Sequence, residues 1–266
     1  MESVLAQTSR AQSIIVVDDN DPESDARKET RHVLADLIQS GLVNLLEHSE
    51  NLGGSEARNT GLRQVTTPFV SFLDDDDEFL ADKLQVELSA LDRTSVASGP
   101  AFVMSEMEIR YPDGKRKKTN RHELFSNGRP QLENHLLRVT GFGFVGTPSF
   151  LFRTSALIAV GGFPRVKIRQ EYTLLLALLA SGATGIYLGW PTVVVHVSAA
   201  GITRNYSKVK LKELKNIYRL QLNHSDALSS KSHLRMYCNY WIDLAKYFAI
   251  SGAISSPAAW LDLLRR

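Results

Sequence analysis

Through its first third the chain alternates short β-branched runs with stretches of helical spacing, and this order constrains the fold more than any other feature. Ser13-Ile-Ile-Val-Val17 reads as a buried strand entering a turn at Asp18-Asp19-Asn20-Asp21-Pro22. A helix is expected from Pro22 to Gln39, stopped at Gly41, then a second strand from Leu42 to Leu46. Asn51-Leu-Gly-Gly-Ser55 is a loop whose Ser55 would cap a helix running through Arg63. Thr67 to Leu73 is a third strand, and Phe79 to Leu91 carries Leu80, Leu84, Leu88 and Leu91 on one helical stripe. Such alternation predicts an α/β domain with a largely parallel sheet, whose ligands sit beyond the carboxyl ends of the strands.

The pattern changes after Val96. Long strands on either side of Tyr111-Pro-Asp-Gly114 predict an antiparallel hairpin, and Lys115-Arg-Lys-Lys118 is either its solvated arm or a phosphate contact. Ser149 to Phe152 and Gly185 to Leu188 are further strands around a helix from Glu171 to Ala180. A last strand, Thr192 to Val197, ends near His196, and the chain reads as helical beyond Asn205, with breaks near Ser225, Gly252 and Pro257. A chain of 266 residues with 43% hydrophobic residues can bury a sizeable core, and a formal charge of +2 gives no reason to expect a nucleic-acid partner. The single cysteine, Cys238, excludes an intramolecular disulfide and a cysteine-based metal site, which fits a cytoplasmic protein. No apolar run reaches the roughly 20 residues of a membrane span, and residues 1 to 12 lack the form of a signal peptide, so contact with a membrane is expected from the side.

Asp74 to Glu78 sets five acids directly after the apolar run Phe69-Val-Ser-Phe-Leu73. Two carboxylates about 6 Å apart at an effective dielectric near 20 repel by roughly 3 kcal/mol, so the run needs compensation. Solvent at an acidic turn that caps the following helix would supply it, and so would a hard divalent cation bridging to substrate phosphates. Asp18 and Asp19 also follow a β-branched strand and would emerge at the same sheet edge. Between the two acidic sites, Asn51-Leu-Gly-Gly-Ser-Glu-Ala-Arg-Asn-Thr-Gly-Leu62 offers glycines for close backbone approach and donors at Arg58 and Asn59. A phosphorylated nucleotide with a metal suits that combination.

Five blocks of the chain resemble the family 2 inverting glycosyltransferases of the GT-A fold: Ile14 to Asp21, Asn51 to Leu62, Pro68 to Leu84, Ser149 to Phe163, and Arg169 to Ala183. They stand in the family's order across most of residues 1 to 200. The resemblance implies a mixed α/β sheet with flanking helices, truncated at its amino end, over residues 1–200, and a helical extension over 201–266 packed on the domain or on a membrane surface. It implies that Asp19, beside Asp18, lies near the uracil, and Arg58 near the base or diphosphate. Asp74-Asp75-Asp76 becomes the DxD motif, with Asp76 the direct ligand of Mn²⁺ or Mg²⁺, Asp74 or Asp75 facing the ribose or sugar, and Asp74 also available to the metal. Asp77 is an outer neighbour or a helix-start acid. His196 is either near the metal or structural, Arg204 either meets a phosphate after loop closure or does not, and Gly161-Gly162-Phe163 lines the acceptor cleft or merely stops a helix. Glu171, where the family's Glu-Asp pair is here Gln170-Glu171, is implied as the general base, with a dipole-stabilised helix-start acid as the alternative. Asn20-Asp21 departs from the family's Gly-Ser.

The family's first strand and P-x-Y-N loop have no counterpart, and Ser3-Val-Leu-Ala-Gln7 looks like the last turn of the helix that follows them. Without that strand its neighbours would stand about 9.6 Å apart, two strand spacings, with ladder groups unpaired. Either the natural chain starts earlier, or this is a truncated copy with impaired nucleotide binding. Three functions follow. The first is a metal-dependent transferase moving a sugar, with inversion, from a nucleotide donor (a UDP-sugar) to a surface polysaccharide or lipid-linked glycan at the cytoplasmic membrane face. The second is a catalytically impaired GT-A homologue acting as a binding or scaffold protein, and the third a nucleotidyltransferase. Lys208, Lys210, Lys212 and Lys215 precede helices bearing Trp241, Tyr247, Phe248 and Trp260, a tail that lies on anionic lipid or packs over the catalytic domain.

Overall fold

A computed structural model describes residues 1–92, 99–121, 125–126, 129–130, 146–197, 208–223 and 230–251. After a short α1 (Glu2–Leu5), β1 (Ile14–Asp18) pairs in parallel with β2 (Val43–Glu47), and α2 (Asp25–Gln39) connects them. Ser24, not Pro22, opens α2: its hydroxyl accepts the Arg27 amide at 3.3 Å, as an N-cap serine does. Gly41, at φ 72°, turns the chain out of the helix in the left-handed conformation that glycine adopts without a Cβ penalty.

The remaining strands of the core form a second sheet in the order β3 (Phe69–Ser71), β9 (Phe150–Arg153), β5 (Phe102–Arg110), β10 (Gly185–His196) and β4 (Glu78–Phe79). The hairpin strand β6 (Arg116–Lys118) pairs with the outer half of β5, and two-residue strands β7 (Phe125–Ser126) and β8 (Arg129–Pro130) pair with each other. The expected parallel sheet is therefore mixed: β1 with β2 and β5 with β10 are parallel, and the other pairs are antiparallel. Three local expectations are also corrected. Gly185 to Val197 is not two strands but one, continued through irregularities between Leu188 and Val193 where Pro191 cannot donate to a ladder. Ser55 does not cap α3 (Gly54–Arg63); Gly53 does, at φ 86°, while the Ser55 hydroxyl donates to Val166 O at 3.2 Å. The helix after the acidic run, α4 (Lys83–Asp92), starts later than Phe79, because Glu78 and Phe79 belong to a strand on β10.

β1 and β3 do not pair: β1 bonds to β2, β3 to β9, and among the described residues neither carries a second ladder, which leaves a seam between the two sheets. The seam has a visible cost in burial. Ile14, Ile15, Val16 and Val17, and Phe69, Val70 and Ser71, are all only half-buried. Helix α3 lies across both sides, with Gly61 against Val17 on one side and Leu62 packed with Phe163, Val70 and Phe72 on the other.

Beneath the larger sheet, α5 (Thr154–Ala159) and α6 (Gln170–Ala180) close the core. Phe102, Met104, Phe150, Phe152, Leu157, Phe163 and the α6 leucines 174, 175 and 178 pack together at 2% exposure or less. α6 is apolar nearly all round, as a helix covered on every side must be. The other face holds buried charge. Lys83 and Glu87, one turn apart on α4, pair at 2.6 Å with no exposure, and Thr192 donates to Glu87 at 2.9 Å. Burial pushes Lys83 down and Glu87 up, and the mutual attraction opposes both.

In the tail, α7 (Lys208–Leu222) meets α6, where the Gln221 side chain donates to the Tyr172 hydroxyl at 2.6 Å, and the Lys167 amide donates to Glu213 at 3.1 Å. α8 (Ser230–Ser251) stacks Tyr240 on Tyr218 with ring centroids 4.0 Å apart. No described helix is long and apolar enough to cross a membrane. Arg204, Gly252, Pro257 and Trp260, and the expected break near Ser225, lie outside the described residues.

Candidate active site

Two acidic stations flank the seam. At the first, parallel pairing carries the chain out of β1 and β2 at one level, so Asp18, Asp19 and His48 emerge together. Asp18 is 4% exposed and faces inward: its carboxylate accepts the Asn20 amide at 2.8 Å and stands 3.7 Å from Arg27. These contacts let it anchor the turn. Arg27, also buried, ties the turn further by donating to the carbonyls of Asp18, Asn20 and His48. Asp19 is more open. It accepts the Leu52 and Gly53 amides at 2.8 and 2.7 Å and lies 2.7 Å from His48 Nδ1, whose Nε2 is 2.8 Å from the Thr60 hydroxyl. Burial works to raise the Asp19 carboxyl, but the bonds from His48, Leu52 and Gly53 hold it below its ordinary value. The glycine-rich loop is therefore folded onto Asp19.

At the second station, the amide of Asp77 bonds to Asp74 O at 3.2 Å, closing a turn between β3 and β4. Asp75 and Asp76 are exposed and Asp74 and Asp77 half-buried. Desolvation first, then Asp75 and Asp74, raise the Asp76 carboxyl. Desolvation pushes Asp77 up to about 7, aided by Asp76, Asp74 and Asp75 and opposed by a 3.1 Å bond from the His196 amide. Asp77 and Glu78 do not serve a helix start, since the strand β4 intervenes.

Arg58 joins this station to α6. One guanidinium nitrogen lies 2.5 Å from Asp74 Oδ1 and the other 2.5 Å from Gln170 Oε1, with the cation 5.6 Å over the Phe163 ring. Gly54 makes room for the junction: a Cβ there would lie 3.2 Å from Arg58 Nη1. Asn59 fixes the next turn, bonding both the amide and the carbonyl of Phe163 at 2.8 and 2.9 Å, and a Cβ on Gly162 would overlap its side chain. Arg169, in the left-handed conformation at φ 56°, then bends the chain into α6 so that Gln170 and Glu171 form its first turn. Glu171 accepts a hydrogen bond from the Thr147 hydroxyl.

Asp74, Arg58 and the amino end of α6 are thus brought together, with Asp75, Asp76 and Asp77 in the same turn. His196 is beside the run, but its ring nitrogen is 3.1 Å from Glu78, and among the described residues no three His, Cys, Asp or Glu side chains converge as a metal-ligand group. His196, left open as a neighbour of the metal or a structural residue, is thus engaged with Glu78. The run still fits a hard cation held through one or two carboxylates and completed by phosphate oxygens and water: desolvation first, then the neighbouring carboxylates, raise Asp76 and Asp77, and a cation would favour their charged forms. Sequence reasoning missed Arg27, His48 and Thr147. Only His48 had a readable signal: it follows a strand parallel to the one that delivers Asp19.

A family model described as glycosyl transferase family 2 matches residues 1–161. Over 221 residues the chain is 25% identical to the amylovoran biosynthesis glycosyltransferase AmsB of Erwinia amylovora, covering 81% of this chain and 68% of AmsB. It is 28% identical over 218 residues to the UDP-Glc:alpha-D-GlcNAc-diphosphoundecaprenol beta-1,3-glucosyltransferase WfgD of Escherichia coli, covering 81% of this chain and 76% of WfgD. Among solved structures, S. aureus TarS 1-349 in complex with UDP superposes with a TM-score of 0.61 at 15% identity, over 93% of this chain and 66% of that one. The Pyrobaculum calidifontis mannosyltransferase PcManGT, in complex with GDP-Man and Mn²⁺, gives 0.57 at 17% identity over 99% of this chain and 73% of that one. The mixed sheet and flanking helices have the GT-A-like form, and the chain belongs to glycosyl transferase family 2.

Proposed function

We propose that this glycosyltransferase moves a sugar with inversion from a UDP-sugar, with Mn²⁺ or Mg²⁺, to a lipid-linked glycan or surface polysaccharide at the cytoplasmic face of the membrane. The observation that carries the reading is the Arg58 junction, which holds the acidic run and the first turn of α6 in one site. Asp19 and the glycine-rich loop folded onto it are the surface offered to the nucleotide base, and Arg58 and Asp75 the groups nearest the sugar diphosphate. Asp76 holds the cation, with Asp74 behind it on Arg58. When bound, the cation neutralises charge developing on the leaving diphosphate.

Glu171 takes the proton of the acceptor hydroxyl as that oxygen bonds to the anomeric carbon, and the bond from that carbon to the diphosphate oxygen breaks on the opposite face. Attack from the face opposite the leaving group inverts the configuration. A carboxylate on the first turn of a helix is also favoured as an anion by the dipole. The choice of a UDP-sugar follows the resemblance of the loop and acidic run and the glucosyl donor named for WfgD.

The test is release of UDP from a panel of UDP-sugars with Mn²⁺ and a GlcNAc-diphospholipid acceptor. Glu171→Gln should lose about 10²–10⁴-fold in kcat, the range of general base catalysis, and Asp76→Ala a comparable amount. A wild type no faster than both variants on any donor would overturn the proposed transfer.

A further inference from the structure

We propose that Thr147 is the positioning residue for the Glu171 carboxylate, held in place by a buried polar chain reaching back to Glu106. The inference rests on the reading of Glu171 as the base. Thr147 lies in a 3₁₀ turn, Thr147–Ser149, that enters β9, and all three residues of the turn are buried. Its hydroxyl donates to Glu171 Oε1. Among the described residues the other carboxylate oxygen carries no hydrogen bond. A donor fixed on one oxygen sets the plane of the carboxylate and leaves the second oxygen to receive the acceptor proton.

The turn is itself clamped. The Ser149 amide and hydroxyl both donate to Gly146 O, at 3.0 and 2.7 Å, and the Ser149 carbonyl accepts the Ser105 hydroxyl at 3.2 Å. Ser149 Oγ in turn accepts Arg121 Nη1 at 3.0 Å. Arg121 is 1% exposed, so its charge needs a partner, and it has Glu106 at 3.3 Å, whose carboxylate also accepts the Arg121 amide at 2.7 Å and the hydroxyls of Thr119 and Tyr187. A chain of buried groups so fully bonded resists displacement, and Thr147 stands at its open end. A carboxylate on the first turn of a helix entered through a left-handed residue would otherwise be free to rotate.

Three variants test this with the same UDP-release assay, after thermal melting shows each to be folded. Thr147→Val should lower kcat about 10–100-fold with the donor KM unchanged, as loss of orientation does, and Thr147→Ser should restore kcat to within a few fold of wild type. In the Glu171→Gln background Thr147→Val should have no further effect, because the two act through one carboxylate. If valine prevents folding, Thr147→Ala carries the same expectations. Loss of kcat on Glu171→Gln without loss on Thr147→Val, or an undiminished effect of Thr147→Val in the Glu171→Gln background, overturns the inference alone. A Glu171→Gln variant as fast as wild type, or a wild type active on none of the donors, overturns the reading beneath it and the inference with it.

Discussion

The two sheets solve the burial problem to different extents. In the larger one, Phe102, Val103 and Met104 of β5 are fully buried between β9, β10 and the helices, and even the polar members of the strand, Ser105 and Glu106, are enclosed and bonded. In the smaller one, the more β-branched strand β1 leaves Ile14 to Val17 half-buried beside an edge that carries no ladder among the described residues. Intrinsic strand preference therefore did not decide burial here. What decided it was whether a neighbour occupied each edge and face, which is why the stability of this chain should be concentrated away from the residues offered to the nucleotide.

The sharpest break of that contrast is Lys83→Met. Removing one partner of an unexposed ion pair leaves Glu87 uncompensated, and the variant should lose about 3–5 kcal/mol in urea unfolding. Next comes truncation of the two cores: Phe102→Ala should cost about 3–5 kcal/mol, whereas Val16→Ala at the seam should cost about 1 kcal/mol. Equal losses at both positions would erase the distinction between the sheets. The smallest effect is at Asp19. Its folded carboxyl lies below the ordinary 3.8, so its bonds to His48, Leu52 and Gly53 contribute stability above that value and lose it as pH falls through the lower folded one. Asp19→Asn should therefore be less stable than wild type near pH 6, with the difference closing below about pH 4, as read from melting temperatures across the acid range.

Much of this was legible. The strands before both acidic stations, the glycine loop between them and α6 were all readable because each pairs a periodic apolar segment with a turn residue of defined chemistry. β4 was not, since two residues have no period and its acids suggested a helix start. Lys83 and Glu87 carry no sign of burial in the sequence; it is the strands laid over α4 that bury them. Arg121 follows a basic, hydrophilic arm, and nothing local marks it as a buried cation. The Arg58 junction spans more than a hundred residues of sequence between Arg58 and Gln170, so no pattern along the chain could show it.

The edges that carry no ladder among the described residues also bear on how the protein behaves when concentrated. A β-branched edge such as Ile14 to Val17, or the apolar edge Phe69 to Ser71, is a template onto which another chain can add a strand, the first step of aggregation. Each edge ends in carboxylates, Asp18 and Asp19 on one and Asp74 to Asp77 on the other, and two copies meeting there would bring like charges together. The acids proposed to receive a nucleotide and its cation are therefore also gatekeepers of solubility.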